Sequence, residues 1–276
     1  MSYSDVLYEV DDYVATVTMN RPEKLNAWSD IMGLEVHECM RHAADDDNVR
    51  VIIFTGAGRG FCAGADMKNL TRLQQAGSAG SREHAEHSED LRIHKNVPRC
   101  FGETFTFFPS VPKPIISAIN GPVAGIGLAL AMYSDIRFAS EAAKIMTIFA
   151  KRGLVGEYGL TWILSRTVGV GNATELLYSG RIVEAEEALR LGMVTRIFPQ
   201  EGFIDHVKAY AKDLAIYSSP RSIGKMKMQI FNDLFWTLED SIRVSKEEMV
   251  ESFDSEDFKE GVEHFLEKRE PRFTGR

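Results

Sequence analysis

Two glycine-bearing turns hold the residues of this chain best suited to chemistry done by bare backbone. The first, "GAGRGFCAGAD" (Gly56 to Asp66), follows the apolar run "VRVIIFT". Gly56 and Gly58 begin a dinucleotide fingerprint, G-x-G-x-x-G, but Phe61 stands at its third glycine position, and the Gly-Lys-Ser/Thr of a P-loop is missing. The loop therefore has glycine without either phosphate-binding pattern. The second turn, "NGPVAGIG", follows "IISAI" and enters the apolar helix predicted over "GLALAMY". The first N–H groups of a helix have no intrahelical partner, and the helix dipole adds partial positive charge there. Glycines flanking Ile126 let a ligand approach the main chain closely. Two such donors converging on one oxygen would form an oxyanion hole. Close packing of helix on sheet is the alternative use of the same glycines.

The elements that position these turns follow from hydrophobic period. "VLYEVDDYVATVTMN" alternates and reads as two strands joined at Asp11-Asp12. Ser29 caps a helix predicted through about Asp47, with Ile31, Met32, Val36, Cys39 and Met40 on its apolar face. "VRVIIFT", "PIISAIN" and "DIRFAS" are buried strands, and their alternation with helices predicts an α/β core. Residues 71–111 differ: "QQAGSAGSREHAEHSED" reads as a mobile polar segment, and "CFGETFTFFPSVP" as an aromatic wall. Phe203, Val207, Tyr210, Leu214 and Tyr217 recur at helical spacing before Pro220, and the chain stays helical to its end. This divides it into an α/β core over 1–200, with the site, and a helical region over 201–276 for assembly and pocket cover.

Composition excludes several classes of function. The chain has 276 residues, 44% hydrophobic and 26% charged, as in ordinary globular proteins. Its 32 Lys and Arg against 40 Asp and Glu leave −8, which argues against a nucleic-acid surface. "MSYSDVLYEV" has no signal-peptide pattern, and no apolar run is long enough to span a membrane, so a cytoplasmic setting is expected. Cys39, Cys62 and Cys100 lack metal-ligand spacing. His84, His87 and His94 read as a solvated helix face rather than a metal site, Cys62 as a packing residue, and Asp66 and Asp135 as turn-holding groups.

Beyond these readings, "RPEKLNAWS", "GRGFCAGADMK", "KPIISAINGPVAGIGLALAMYSDIRFAS", "TVGVGNATELLYSGRIVEAEEALRLGMV" and "FLEKREPRFTG" together resemble the crotonase superfamily, the enoyl-CoA hydratase/isomerase family, nearly end to end. The resemblance implies a crotonase-like (ClpP/crotonase) superhelix of ββα turns with a trailing helical region, assembled as a homotrimer or homohexamer. It implies an acyl-CoA thioester substrate from fatty-acid or aromatic-acid metabolism, and no cofactor beyond the CoA moiety itself.

Residue by residue, the resemblance places the oxyanion donors on the N–H groups of Ala65 and Ile126. The loop from Ala63 through Ala65, Asp66 and Met67 to Lys68 would hold the CoA adenine. Lys24 and Leu25 would border the CoA, and Lys268 or Arg269 would reach a phosphate across a subunit boundary. The two glutamates of typical hydratases align with Ala129 and Phe149, so both carboxylates are absent. Glu157, in "GLVGEYGLTW", falls where single-carboxylate isomerases of the family place their acid; its alternative is a helix-start carboxylate facing the dipole. The expected reaction is a double-bond shift with Glu157 as proton shuttle, hydration being the alternative, and a non-catalytic CoA-thioester binder the further one. Trp28, Phe149, Tyr158 and Trp162 are expected in the acyl pocket, with Phe107 and Phe108 as further apolar neighbours of the acid.

Overall fold

The computed structural model describes residues 3–69, 71, 72, 74, 75 and 89–276. Strands β1 (Val6–Asp11) and β2 (Val14–Met19) form the hairpin, whose turn is Asp12-Tyr13, both at positive φ, one residue later than expected. Helix α1 (Asp30–Asp45) follows, and the Ser29 hydroxyl accepts the Met32 N–H at its start. It ends two residues before the expected Asp47. Met32, Val36, Cys39, Met40 and Ala43 are its buried face. Ile31 was expected there, but one residue of helical rotation turns it away, and it is 54% exposed.

Strands β3 (Val51–Gly56), β4 (Ile115–Ile119), β6 (Ile136–Ser140) and β9 (Arg196–Phe198) run parallel beside β2, giving the order β1-β2-β3-β4-β6-β9. The run "VIIFTG" is buried at every position because both faces of the sheet are covered. Ile52 and Phe54 face the cluster that holds α1, while Val51 and Ile53 face helix α6 (Phe203–Tyr217) through Phe203, Val207, Ala211 and Ala215. The expected stripe on α6 is thus rotated: Tyr210 and Leu214 are half-buried, Tyr217 is exposed, and the alanines allow close contact with the sheet.

A smaller sheet lies beside the large one. Strand β5 (Val123–Ala124) pairs parallel with β7 (Lys144–Met146), which pairs antiparallel with β8 (Val183–Glu184). Cys62 makes a parallel bridge to Val123, so the first glycine loop supplies a one-residue strand where the next two turns of chain supply β5 and β7. Three successive turns, β3 to Cys62, β4 to β5 and β6 to β7, therefore stack in register. Both glycine turns fall at the same, carboxyl, end of their parallel strands.

Helix α2 (Ile126–Met132) follows β5, and α3 (Leu160–Val168), α4 (Val170–Ser179) and α5 (Ala185–Arg190) precede β9. After α6 come α7 (Pro220–Asp233), α8 (Leu238–Phe253) and α9 (Glu256–Glu267). No helix among the described residues is long and apolar enough to cross a membrane.

Along α9 one stripe is uncovered: Phe258, Val262, Phe265 and Leu266 are 43%, 45%, 77% and 73% exposed. Leu238, Met249, Val250 and Phe253 on α8 are exposed as well. So much apolar surface on adjoining helices is characteristic of a face that another chain covers. The family resemblance implies a trimer or hexamer, and light scattering at micromolar concentration should give that multiple of the 30.9 kDa chain. A mass of one chain would contradict this.

Candidate active site

The two glycine turns meet at Gly64 and Gly125. Both glycines have positive φ, +100° and +54°. A Cβ built on Gly64 would lie 3.3 Å from the Ala124 carbonyl oxygen, and one on Gly125 would lie 4.0 Å from the Gly64 Cα. A side chain at Gly64 would press on the facing carbonyl, and the positive φ at both positions favours glycine.

The bridges on either side fix which amides remain available. Trp28 donates to the Gly64 carbonyl at 2.8 Å and accepts from the Asp66 N–H at 3.0 Å, so this parallel bridge leaves the Ala65 N–H pointing away from Trp28. On the other turn, Gly125 donates to the Met146 carbonyl, and Ile126 opens α2 with an N–H that has no partner within the helix. Ala65 is half-buried and Ile126 buried. Each expected oxyanion donor therefore sits beside the glycine contact that joins the two turns.

Side chains clamp the first loop from behind. The buried Asn26 donates to the Ala57 and Gly60 carbonyls at 2.9 and 2.8 Å. Asn120 donates to the Gly56, Gly58 and Gly60 carbonyls at 2.8, 2.9 and 3.3 Å. Neither asparagine was singled out from sequence, although "KLNA" and "INGP" carried them. Asn26 itself has φ +54°, a conformation asparagine tolerates better than most residues.

Asp66 closes the far end of the loop. Its carboxylate accepts from the Lys68 N–H at 3.0 Å, from Arg21 at 2.7 Å and from Lys24 at 3.3 Å. The Lys68 N–H and the Arg21 guanidinium hold its pKa down, at about 2. Lys24 is thus anchored beside the loop with part of its side chain in solvent, and Leu25 turns the chain there at φ +51°. Ala63, Met67 and Lys68 are exposed along the loop's outer surface. Cys62 packs against Gly127 on α2, and burial pushes its thiol up to about 11, as suits a packing residue rather than a nucleophile.

Glu157 lies between β7 and α3. The Leu160 N–H donates to the Glu157 carbonyl at 2.9 Å across Tyr158 and Gly159, both left-handed at φ +52° and +66°. This is a type I′ turn with Glu157 at its first position. Left-handed backbone at a tyrosine costs about 1 kcal/mol, and such strain gathers at functional sites. The Glu157 side chain caps no helix: the N-cap of α3 is Gly159, and no side-chain bond caps it. The carboxylate is half-buried, and burial alone raises its pKa.

An aromatic row spans the space between the Ala65 turn and the Glu157 turn. The Trp28 and Phe105 ring centroids are 5.3 Å apart, and those of Phe105 and Tyr158 4.3 Å apart. Phe105 was not singled out from sequence. Phe107 and Phe108 instead pack beneath it, against His37 and Phe54. Trp162 belongs to a separate group, stacked on Phe235 at 5.4 Å with the Arg166 guanidinium on its ring. Phe149 is buried after β7, and Ala129 is fully buried one turn into α2.

The remaining expected residues lie elsewhere. Arg269 is ion-paired with Glu260 and Glu267, and Lys268 caps α9 in an exposed position. Asp135 accepts from the Ile115 N–H and from the buried Lys227. The backbone N–H of His94 donates to the Ser110 carbonyl, whereas His84 and His87 lie outside the described residues. The described residues contain no cluster of three His, Cys, Asp or Glu groups able to hold a metal ion. A cavity of about 460 Å³ lined by Arg50, Lys113, Arg221 and Lys225 sits at the amino ends of β3 and β4, away from both glycine turns. These four cations are already paired with carbonyls, a hydroxyl or carboxylates.

The profile of the enoyl-CoA hydratase/isomerase family matches residues 9–276. The chain belongs to this family. It is 35% identical over 271 residues to 1,2-epoxyphenylacetyl-CoA isomerase of Escherichia coli, covering 98% of each chain. It is 36% identical over 267 residues to a probable enoyl-CoA hydratase of Bacillus subtilis, covering 96% of this chain and 97% of that one. The crystal structure of an enoyl-CoA hydratase from Bacillus anthracis superposes with a TM-score of 0.87 at 27% identity, over 99% of this chain and 100% of that one. The crotonase fold and an enzyme of this family are thereby established.

The Asn120 clamp makes a direct test of how the loop is held. Replacing Asn120 by Ala leaves buried loop carbonyls without a donor, which costs about 1–3 kcal/mol. Asn120→Ala should lower the thermal midpoint by several degrees; an unchanged midpoint would show that the loop does not depend on this amide.

Proposed function

We propose that this enzyme shifts the double bond of an enoyl-CoA, with Glu157 as its sole proton shuttle and with the enolate oxygen held by the Ala65 and Ile126 N–H groups. The observation that carries this reading is Glu157 itself. It is a half-buried carboxylate, raised by burial and not used as a helix cap. A base brought toward neutral pH in this way both accepts and returns a proton well.

With a 3-enoyl thioester the step balances as follows. Glu157 takes a proton from C2, and the C–H electron pair moves into the thioester to give a dienolate. The negative oxygen is met by the two N–H donors. The electrons return, the double bond moves to C2–C3, and Glu157 delivers the proton to C4. One carboxylate suffices, and no cofactor beyond the CoA moiety takes part. Ala129 and Phe149 offer no second carboxylate to direct water, which favours isomerisation over hydration.

In this reading the outer surface from Ala63 to Lys68, with Lys24 and Leu25, carries the CoA, and Lys268 of an adjoining protomer approaches a phosphate. Trp28, Phe105 and Tyr158 form the apolar wall for the acyl group, their rings tilted by 56° and 53° along the row. The name of the Escherichia coli relative specifies a phenylacetyl thioester, a ring-bearing acyl group of the kind such a wall accommodates.

Glu157→Gln keeps size and polarity but removes the base. It should assemble and bind acyl-CoA normally, while turnover of trans-3-enoyl-CoA falls by about 10²–10⁴. In deuterated water the parent should exchange the C2 hydrogen and the variant should not. Retained exchange would assign proton abstraction to another residue; faster hydration of trans-2-enoyl-CoA than isomerisation by the parent would favour the hydratase reading.

Ile126→Pro deletes one donor at a helix position where proline is tolerated. Turnover should fall by about 10²–10³ with CoA affinity kept; a wild-type rate would remove Ile126 from the donor pair. Because burial raises Glu157, and the base must be ionised, activity should be lost as pH falls through a value above the ordinary carboxylate range. An acid limb at or below that range would contradict the buried-base assignment.

A further inference from the structure

The helix that opens with Ile126 ends against the turn that carries Glu157. Tyr133 follows the last residue of α2 and is buried. Its hydroxyl donates to the Tyr158 carbonyl at 3.1 Å, the central peptide of the Glu157 turn. A Cβ added to Gly159 would lie 2.6 Å from the same hydroxyl oxygen, so the tyrosine reaches the turn only because that position is glycine. Burial pushes the Tyr133 phenol up to about 12, which keeps it a donor across the working pH range. Its ring is backed edge-on by Phe101 at 6.3 Å.

We propose that Tyr133 is a positioning residue, whose hydroxyl sets the Glu157 turn at a fixed distance from the oxyanion end of α2. The inference rests on the Glu157 reading above. In a proton shuttle the carboxylate must reach two carbons while the thioester oxygen stays on its donors, so base and donors need a common rigid reference. Helix α2 supplies it: seven residues span about 10 Å, with the Ile126 N–H at one end and Tyr133 at the other. Phe105 touches the turn only through the Tyr158 ring, tilted 53° against it, and supplies no hydrogen bond to the turn's backbone. Among the described residues the titratable groups around the turn are Tyr158 within it and Tyr133 and Cys100 behind it, and none of their charged groups contributes to the shift at Glu157.

The test is Tyr133→Phe, measured beside Glu157→Gln in the assembled enzyme. Phenylalanine keeps the ring against Phe101 and removes only the hydroxyl. We expect a native circular dichroism spectrum, unchanged acyl-CoA affinity and KM, and kcat lowered about tenfold or more. A looser turn also lets water reach Glu157, so the acid limb of kcat/KM should move to lower pH.

A lowered thermal midpoint with kcat and the acid limb unchanged would overturn the inference and leave Tyr133 a packing residue. A variant that does not fold is replaced by Gly159→Ala, which presses on the same hydroxyl from the turn side and should give the same split of kcat from KM. If Glu157→Gln is inactive while both other variants match the parent, the positioning role fails and the Glu157 reading stands. If Glu157→Gln is fully active, the reading itself fails.

Discussion

Backbone meets backbone at Gly64 and Gly125, and the remainder of the site depends on how that contact is maintained. Both turns lie at carboxyl ends of neighbouring parallel strands, so the β3–β4 register determines that they emerge side by side. The Cys62–Val123 bridge repeats this alignment one layer further out. With no side chain at Gly64 the two turns lie in contact, and the following residues, Ala65 and Ile126, hold their amides in one neighbourhood. Amides fixed in place need little reorganisation when charge develops on an oxygen, and this is why preorganised donors can supply much of a rate enhancement.

Holding such a loop requires polar partners for every carbonyl it turns inward. Asn26 and Asn120 meet that need from beneath, and Asp66 draws Arg21 and Lys24 against the loop's end. Buried amides of this kind are costly unless paired, and paired they define a single loop conformation. The same logic runs in the opposite direction at Glu157. There a carboxylate is half-buried without a cation among the described residues, and its pKa rises instead of falling as at Asp66. Two acids of one fold are thus shifted in opposite directions by their surroundings alone.

Much of this was legible in the sequence, but unevenly. Buried strands such as "VIIFT" announce themselves by continuous β-branched character, and the two glycine turns stand out at their ends. The family resemblance pointed to Ala65, Ile126 and Glu157, which composition and period alone would not have distinguished. Ile31 was misplaced because a helical face at its edge is decided by one step of rotation. Trp162 falls in the Phe235 group because α3 turns it toward the helical tail, a direction periodicity does not contain. Asn26 and Tyr133 were invisible, and Phe105 was legible only as one ring of the aromatic stretch, for a further reason: each acts on a residue 25 or more positions away through a contact only the fold creates.

The convergence of two amides on one oxygen is the central claim, and a crystal structure of the enzyme with a bound acyl-CoA tests it most directly. The account predicts the thioester oxygen within hydrogen-bond distance, about 2.7–3.2 Å, of both the Ala65 and the Ile126 nitrogens. The acyl carbons would then lie between Glu157 and the Trp28–Phe105–Tyr158 row. A thioester oxygen bound to other groups, or to only one of these two amides, would contradict it.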